Sequence, residues 1–224
     1  MKYIFIAGAS DIGKALINSL NKNYNKIIYT YRKSKLKNNN LISYKLDITN
    51  KREINNFIKN KSLKNWDNLT ILPATQKPIG SFNENDPEEW ISSIDINFTY
   101  QMYLLRKLLP FRNKKKTKSI ILWAGGGTNN SVKNYSAYTV SKIAQTKMAE
   151  LLNHEIKDVK ISIIGPGFVK TKIHNETLES INNDHYVETK RRLKEDFNPI
   201  SKVVKCFNKV LASLIAVTKD CRFV

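Results

Sequence analysis

The sequence predicts an α/β fold in which a doubly wound parallel sheet lies between two layers of helices, a three-layer αβα arrangement. Apolar, strand-like runs alternate with amphipathic helical stretches along almost the whole chain of 224 residues, as in proteins with a parallel sheet. The first such run also leads through a glycine-containing turn, Gly8 to Gly13, directly into a helix. That succession of strand, turn and helix is typical of a ligand-binding βαβ unit.

The predicted strands are short runs rich in apolar, β-branched and aromatic residues, which suit a buried sheet. They lie at 2–7, 26–31, 41–46, 68–72, 119–124 and 159–164, and a short last strand is predicted at 219–224, where the chain is expected to end. The helices between them carry apolar residues three and four positions apart. They are predicted at 14–20, 49–61, 86–109, 138–156 and 198–212.

Capping and proline residues define several helix ends. Thr49 or Asn50 is expected to cap the second helix. The third helix begins at Asp86, with Pro87 in its first turn and acidic residues at the positive end of its dipole. It ends before Pro110, because proline cannot continue a helix.

The length of 224 residues predicts a single domain, 1–224, that is large enough for a substantial core. Within it, the polar stretch 172–197 has weak periodicity and is expected to form a mobile lid over a substrate. The dense basic run 112–118 is expected to be a solvated connector. No internal repeat, linker or low-complexity segment interrupts the pattern.

The net charge of +19 favours acidic partners such as phosphorylated substrates. Aromatic residues are not interleaved with the basic ones in a pattern that reads nucleic acid, so a nucleic-acid partner is not expected.

Cys206, Cys221 and the three histidines lack metal-ligand spacing, which predicts no metal site. The sequence shows no signal peptide and no apolar run long enough to cross a bilayer, so we expect a cytoplasmic protein without a membrane partner.

The most informative pair is Tyr138 and Lys142, which lie four residues apart and therefore on one face of a helix. A phenol beside an ammonium is a usable acid/base pair near neutral pH. The pKa of free tyrosine is about 10, and a nearby positive charge favours the phenolate, so we expect a pKa for Tyr138 that is lowered by about two to three units. A surface helix that carries both residues without a function is the alternative.

The turn from Gly8 to Gly13 lies in the context that a dinucleotide-binding loop requires. Its glycines let the backbone approach the pyrophosphate, which binds at the helix N-terminus. The pattern is imperfect, because Ser10 occupies the place of a middle glycine, and a plain strand–helix turn is the alternative. Arg32 and Lys33 follow the second strand, where cations suit a 2′-phosphate and favour NADP(H) over NAD(H), unless they only reflect the lysine-rich composition.

Together, these motifs resemble the short-chain dehydrogenase/reductase family in its single-domain form. They occur in the order and near the spacing of that family over essentially the whole chain. The motifs are Gly8-Ala-Ser-Asp-Ile-Gly13, Asp47-Ile48, Asn97, Tyr138-x-x-x-Lys142 and Pro166-Gly167-x-x-x-Thr171. The resemblance implies a Rossmann fold and an NADP-dependent oxidoreductase that transfers hydride between NADP(H) and a carbonyl or secondary alcohol.

By this resemblance, Tyr138 is the general acid or base at the carbonyl oxygen, and Lys142 holds the nicotinamide ribose and lowers the Tyr138 pKa. Asn97 bends its helix and holds a water in a proton relay, or is a helix-kink residue only. Thr171 as a cap of the lid is a further structural alternative, as is a simple turn at Pro166-Gly167. The cofactor-binding residues implied are Gly8, Ser10, Asp11, Ile12, Gly13, Arg32, Asp47, Ile48, Ala74, Pro166, Val169 and Thr171, together with Tyr138 and Lys142.

The chain departs from the family pattern at the position of the catalytic serine, which is Gly125 here. That serine donates a hydrogen bond to the substrate oxygen, and loss of such a donor can lower the rate by about 10²–10³. Thr128, or else Asn129 or Ser131, would have to reach in from the loop. The glycine loop is also one residue shorter, and Asp11 either places a negative charge near the phosphates or caps the helix.

These features leave three functions open. The first is an oxidoreductase acting on a small polar or anionic molecule, such as a nucleotide sugar, with a 3-oxoacyl group on an acidic carrier as the runner-up. The second, favoured by Gly125, is a catalytically impaired dinucleotide-binding sensor or scaffold, and the third is nucleic-acid binding through the basic surface.

The resemblance also implies a homodimer or homotetramer that associates through the helices around 90–109 and 137–152.

Overall fold

The computed structural model describes residues 1–20, 25–37, 41–115, 118–128, 131–180 and 184–213. The strand predicted at 219–224, Cys221 and Asn129 lie outside these residues. Within them, the chain forms a parallel sheet of six strands flanked by helices. This Rossmann-like architecture confirms the fold class that the alternation of elements predicted.

The strands follow their predicted positions closely. They are β1 (Lys2–Ile6), β2 (Lys26–Tyr31), β3 (Ile42–Lys45), β4 (Asn68–Ile71), β5 (Lys118–Trp123) and β6 (Val159–Ile164). All neighbouring pairs are parallel, in the order β3-β2-β1-β4-β5-β6. The strand order changes direction between β1 and β4, and at such a point the carboxyl ends of neighbouring strands open a crevice for a ligand.

The helices also lie near their predicted positions, and their caps explain where three of them start. They are α1 (Asp11–Ser19), α2 (Lys51–Phe57), α3 (Pro87–Ile94), α4 (Tyr100–Leu108), α5 (Ser136–Glu155), α6 (His174–Glu179), α7 (Tyr186–Glu195) and α8 (Ile200–Ser213). Ser10 caps α1, Asn50 caps α2 and Asp86 caps α3, each by accepting hydrogen bonds from backbone N–H groups of the first turn. Of the two candidates for the α2 cap, the structure selects Asn50.

The helix predicted at 86–109 contains a π-helical segment, Asp95–Thr99, between α3 and α4. Single π turns within α-helices often lie at functional sites, because the wider turn displaces the following side chains. Asn97, at the centre of this segment, is fully buried. The structure therefore places Asn97 in a π-helical turn, while the bend of the helix stays a prediction.

The stretch 172–197 contains two helices that the sequence pattern did not indicate, α6 and α7. α6 has six residues and buries only His174 and Thr177, while α7 buries only Thr189. Helices that bury so few and such polar side chains leave almost no apolar periodicity in the sequence. The described part of the predicted lid is thus regular structure packed along one side of the sheet's carboxyl edge.

Two apolar cores on opposite faces of the sheet hold the layers together. One core lies against α2, α4 and α5 and includes Ile54, Leu104 and Ile120. The other lies against α1 and α8 and includes Phe207 and Ile121. Successive strand residues enter different cores because side chains alternate between the two faces of a sheet. Both faces are therefore covered, and the carboxyl ends of the strands remain open to a ligand.

The basic run 112–118 is only in part the solvated connector that its composition predicted: Lys114 and Lys115 are exposed, but Arg112 and Lys118 are paired. Arg112 pairs with Asp158 at 2.8 Å, and Lys118 pairs with the same carboxylate at 3.3 Å. Lys118 begins β5 and is only 2% exposed. The hydrogen bond from Arg112 lowers the pKa of Asp158 to about 2. At Arg112 and Lys118 the expectation failed because a count of charges does not show which cations form an ion pair with a distant residue.

Candidate active site

A cleft of ≈ 1560 Å³ crosses the carboxyl ends of the strands, from the end of β2 to α6 and α7. Most residues predicted to bind a cofactor line it, namely Ser10, Asp11, Ile12, Arg32, Asp47, Ile48, Ala74, Tyr138, Lys142, Pro166, Val169 and Thr171. Thr128 lines the cleft as well, whereas Gly8, Gly13 and Asn97 are not part of its lining. The structure therefore brings together groups that are far apart in the sequence.

The turn between β1 and α1 brings Gly8 and Gly13 into direct contact. A Cβ at Gly13 would lie 2.6 Å from the carbonyl oxygen of Gly8, so a larger residue would force the backbone to shift. Ala7 adopts a φ of 56°, and its carbonyl accepts a hydrogen bond from the Ser10 N–H at 3.0 Å, which closes the turn. The N-terminus of α1 thus opens on the cleft with the partial positive charge that suits a pyrophosphate.

Asp11 does not cap α1, which was one of its two predicted roles, because Ser10 does so. Its carboxylate instead accepts a hydrogen bond from the backbone N–H of Lys172 at 2.9 Å. That bond joins the first turn of α1 to the start of the stretch 172–197. The glycine loop and the segment that follows β6 are therefore tied together at this side of the cleft.

Arg32 is the cation at the end of β2, where an NAD-binding protein would have a carboxylate. It is exposed and lines the cleft beside Lys33. Asp47 follows β3, but its carboxylate accepts hydrogen bonds from the N–H and the hydroxyl of Thr49 at 3.0 and 2.8 Å. This end of the cleft therefore offers positive charge to an anionic group, while Asp47 shapes its own turn.

The helix α5 places Tyr138 and Lys142 on one face, both lining the cleft, as their spacing predicted. Lys142 is 2% exposed, and its ammonium donates to the Trp123 carbonyl at 3.0 Å and to Gln145 Oε1 at 3.3 Å. The Lys142 Nζ lies 5.9 Å from the centre of the Tyr138 ring. Tyr138 and Lys142 are therefore neighbours on one wall of the cleft. Oxygen atoms of the protein, and not solvent, accept the hydrogen bonds of the Lys142 ammonium.

The predicted lowering of the Tyr138 pKa is wrong for this structure. Burial, with a smaller effect from the Glu176 carboxylate, raises the pKa of Tyr138 to about 12. Burial also lowers the pKa of Lys142 to about 8. Burial shifts both groups toward their neutral forms, since a charge in a dry site loses its solvation, but Lys142 remains charged below pH 8. The prediction counted the attraction between the two charges and left out the desolvation of each.

Gly125 provides the space that Tyr138 occupies. A Cβ at Gly125 would lie 2.5 Å from the Tyr138 hydroxyl oxygen and 2.6 Å from Cζ. The phenol thus fills the volume that a side chain at position 125 would need. Thr128, which was predicted to supply the missing hydroxyl, donates its hydrogen bond to the Gly125 carbonyl at 3.2 Å. Ser131, a further candidate, is exposed.

Asn97 ties the π-helical segment to the loop after β4. Its side-chain oxygen accepts a hydrogen bond from the Thr75 N–H at 3.0 Å, and its amide donates to the Thr75 carbonyl at 2.9 Å. The same amide donates to the Ser93 hydroxyl at 3.2 Å. These bonds fix the loop that carries Ala74 into the cleft. Asn97 therefore positions the cleft wall as well as marking the π turn.

Glu176 of α6 is a site residue that the sequence analysis missed. Its carboxylate accepts hydrogen bonds from the Thr75 hydroxyl at 3.0 Å and from the Gln76 N–H at 2.6 Å. The neighbouring Thr177 hydroxyl donates to Gln76 Oε1 at 3.1 Å. α6 is thereby attached to the loop after β4, and a carboxylate enters the cleft. No motif or periodicity within 172–197 distinguishes Glu176, so sequence reasoning had no signal by which to find it.

The segment after β6 combines a turn with part of the cleft wall. Gly167 has a φ of 68°, and the Asn198 side chain donates to the Pro166 carbonyl at 3.2 Å. Val169 is 4% exposed and pairs with Asn198 in a short parallel bridge. Thr171 lines the cleft and does not cap α6, which has no side-chain cap. Pro166-Gly167 therefore forms a turn, and Pro166 also lines the cleft.

The position of the cleft in the sheet and the shape of the glycine turn both suit a dinucleotide. Its floor crosses the point where the strand order reverses, which is the ligand site of open parallel sheets. The close contact of Gly8 with Gly13 lets the backbone of β1 pass directly against the first turn of α1. A Rossmann-like enzyme with an acid/base pair on one wall of its ligand cleft is the class of protein that these features define.

The particular family follows from comparison with known proteins. The sequence profile of the short chain dehydrogenases matches residues 2–182, and the chain belongs to this family of oxidoreductases. Members of the family generally bind NAD or NADP and act on small molecules.

Individual proteins agree with this assignment. An uncharacterized oxidoreductase from Staphylococcus aureus is 29% identical over 185 residues, which are 77% of this chain and 80% of that protein. Another, from Staphylococcus saprophyticus, is 25% identical over 187 residues, which are 77% of this chain and 76% of that protein. The crystal structure of a short chain dehydrogenase family protein from Francisella tularensis has a TM-score of 0.81 at 21% identity and covers 96% of this chain and 90% of that one. The last comparison shows the shared fold.

Two absences hold for the part of the chain that the structure describes. None of its helices combines the length and the hydrophobicity that crossing a bilayer requires. No three side chains of His, Cys, Asp or Glu there are grouped to hold a metal ion. His174, for example, is buried against Phe168 and hydrogen-bonds to the Val169 carbonyl at 3.0 Å.

The contact between Gly125 and Tyr138 predicts that a serine at position 125 is harmful. Gly125→Ser should lower the free energy of unfolding by about 1–3 kcal/mol, because the new Cβ overlaps the phenol. Urea denaturation measures this loss. The matched control is Gly126→Ser, since a Cβ there has nothing within 4 Å. An equal and small effect of both substitutions would contradict the close contact.

The burial of Lys142 predicts a pH dependence of stability. Below pH 8 the lysine is charged in both the folded and the unfolded protein, but above that pH the folded protein loses the proton first, while the unfolded chain keeps it up to 10.5. Because the unfolded state binds more protons in this window, the free energy of unfolding should rise relative to Lys142→Met by ~1.4 kcal/mol per pH unit. Urea denaturation at pH 8 and above measures the difference. Lys147→Met, at an exposed position of the same helix, is the control and should show no such rise.

Proposed function

We propose that the protein is an NADP(H)-dependent oxidoreductase that interconverts a carbonyl and a secondary alcohol on a small polar molecule. The observation that carries the proposal is the pair of Tyr138 and Lys142, both buried and both lining the cleft. A positioned phenol can exchange a proton with the carbonyl oxygen, and a held ammonium can stabilise negative charge beside it.

The residues that would hold the dinucleotide are distributed along the cleft. The N-terminus of α1, with Ser10, suits the pyrophosphate. Asp47 and Ile48 would flank the adenine, and Arg32 would contact a 2′-phosphate. Val169 would border the nicotinamide, which supplies or accepts a hydride when the cofactor is bound. This order along the cleft supports NADP(H) over NAD(H), because the group at the end of β2 is a cation.

The protonation of Tyr138 supports the direction of carbonyl reduction. With a pKa of about 12, the phenol holds its proton at neutral pH and can donate it to a carbonyl oxygen that gains negative charge. Alcohol oxidation would need the phenolate, whose formation both burial and Glu176 oppose. Lys142 would stabilise the phenolate left after donation.

Thr128 is proposed as the donor that replaces the missing serine hydroxyl. Its side chain lines the cleft three residues beyond Gly125. Its hydroxyl would exchange the Gly125 carbonyl for the substrate oxygen, and that 3.2 Å bond is long enough to be weak.

The cleft end beside Tyr138 suits a polar substrate. Gln76 and Glu176 line it from the β4 loop and from α6, and Arg192 lines it from α7. Carboxylate and amide oxygens accept hydrogen bonds from hydroxyl groups, and a guanidinium binds carboxylate or phosphate. A hydroxylated molecule such as a sugar, with or without an anionic group, therefore matches this lining better than a long apolar chain.

A homodimer or homotetramer is also proposed. α5 exposes Val140 and Leu151, and α3, which packs beside it, exposes Ile91, with exposed fractions of 45 to 50%. Large apolar side chains on adjacent helices suit a self-complementary interface. Size-exclusion chromatography with light scattering would measure the oligomeric state.

A dinucleotide-binding sensor or scaffold without useful catalysis is the second candidate. Gly125 favours it, since this position offers no hydroxyl and Tyr138 is only 9% exposed. Both candidates share the cofactor cleft, so only turnover separates them.

Tyr138→Phe separates the two candidates. If Tyr138 is the acid, turnover of a panel of keto-sugars and diketones with NADPH should fall by about 10²–10⁴, because the proton donor is lost. NADPH affinity, measured by fluorescence titration, should remain close to that of the wild type. NADPH binding with no turnover in the wild-type protein, unchanged in Tyr138→Phe, would instead support the sensor.

The cofactor preference is tested at Arg32. Arg32→Ala should weaken NADPH binding by about 10–100-fold, through loss of charge-assisted hydrogen bonds to the 2′-phosphate, and leave NADH binding nearly unchanged. Isothermal titration with both cofactors measures the two affinities. Lys37→Ala removes a nearby exposed charge outside the cleft and serves as the control. Equal losses for both cofactors would remove the assignment of NADP(H).

A further inference from the structure

A row of buried side-chain hydrogen bonds runs from Lys142 to the carboxyl end of β4. The Lys142 ammonium donates to Gln145 Oε1 at 3.3 Å, and the Gln145 amide donates to Gln101 Oε1 at 2.6 Å. The Gln101 amide donates in turn to the Pro73 carbonyl at 2.8 Å. Both glutamines are 0% exposed. The row therefore links α5, α4 and the β4 loop inside the protein, away from solvent.

The orientation of both amide groups follows from the contacts of Gln101, at the end of the row away from Lys142. The Gln101 amide also donates to the Ile96 carbonyl at 3.0 Å, so its nitrogen faces two carbonyl oxygens and its oxygen must face Gln145. Gln145 must then present its nitrogen to Gln101 and its oxygen to Lys142, because an ammonium can only donate. Rotating either amide by half a turn would set oxygen against oxygen. The two amides thus form one polarised row whose negative end faces the ammonium.

Lys142 depends on such support because burial lowers its pKa to about 8. Burial alone causes this shift, with no contribution from a charged side chain. On α5 the neutral Tyr138 ring lies 5.9 Å from the Lys142 Nζ, and Glu176 of α6 acts on the Tyr138 phenol. β5 contributes the Trp123 carbonyl, and α4 contributes the uncharged Gln101. The charge is therefore stabilised by neutral oxygens, and Gln145 supplies one of the two.

We propose that Gln145, and through it Gln101, are positioning residues that hold Lys142 in its charged form and aimed at the cleft. Hydrogen bonds to a charged group are stronger than neutral ones, and bonded amides polarise one another in a dry interior. Carboxamides do not readily release protons, so the row supports the charge and does not conduct protons. The catalytic meaning of the proposal rests on the proposed function, since Lys142 acts there.

The decisive experiment measures the protonation of Lys142 itself, in the protein without added ligand. Its side-chain ¹³Cε resonance, assigned by its loss in Lys142→Met, is followed by NMR from neutral to alkaline pH. In Gln145→Leu the proton affinity of Lys142 should fall about tenfold, because a charge-assisted hydrogen bond is lost. Gln101→Met should shift it in the same direction by less, since Gln145 then loses its own support.

The matched control is Asn153→Leu on the same helix. It removes two side-chain hydrogen bonds to Ile161, at 2.8 Å each, and leaves the surroundings of Lys142 intact. Its Lys142 titration should equal that of the wild type, although its stability falls. If Gln145→Leu does not fold, Gln145→Asn withdraws the oxygen while keeping an amide and should show the same fall in proton affinity.

An unchanged Lys142 titration in the folded Gln145 variants would overturn the proposal and reduce both glutamines to structural residues. A shift in Gln145→Leu with none in Gln101→Met would overturn the extended row. The alkaline limb of the pH profile of NADPH-dependent turnover should move to lower pH in Gln145→Leu. Failure to find any turnover would contradict the proposed function only, because the NMR titration needs no substrate.

Discussion

The active-site region depends on one physical constraint, which is that a lysine ammonium is kept away from water. Burial removes the solvation of Lys142, and the Trp123 carbonyl and Gln145 replace part of it. The same dry surroundings keep Tyr138 protonated. The end of β5, the buried face of α5 and the turn of helix before α4 are therefore all parts of one arrangement around a single charge.

Around that charge, the cleft is closed by hydrogen bonds between segments that are distant in the chain. The Asp11 carboxylate binds the Lys172 N–H across 161 residues, and the Glu176 carboxylate binds the Gln76 N–H across 100. Both ties use an acidic side chain to hold a backbone N–H group of a loop. Both carboxylates also place negative charge in the cleft of a protein whose net charge is +19.

The sequence predicted what depends on local spacing. The alternation of elements, the cap at Asn50 and the shared face of Tyr138 and Lys142 are all set by residues within a few positions of each other, although the cap of α1 is Ser10 and not Asp11. The partner of Lys118 and the sign of the Tyr138 pKa shift were missed, because both depend on contacts with distant segments and on burial. Gln145 was within reach of sequence reasoning, since a polar residue seven positions after Tyr138 lies on the same buried face.

The contact between Gly125 and Tyr138 also constrains how this chain can evolve. The two positions are epistatic, because the same volume can hold a side chain at 125 or the present phenol, but not both. A lineage that gained a serine there by one substitution would have to displace the present phenol of Tyr138. A serine at position 125 is therefore tolerated best when α5 or the loop before it repacks at the same time.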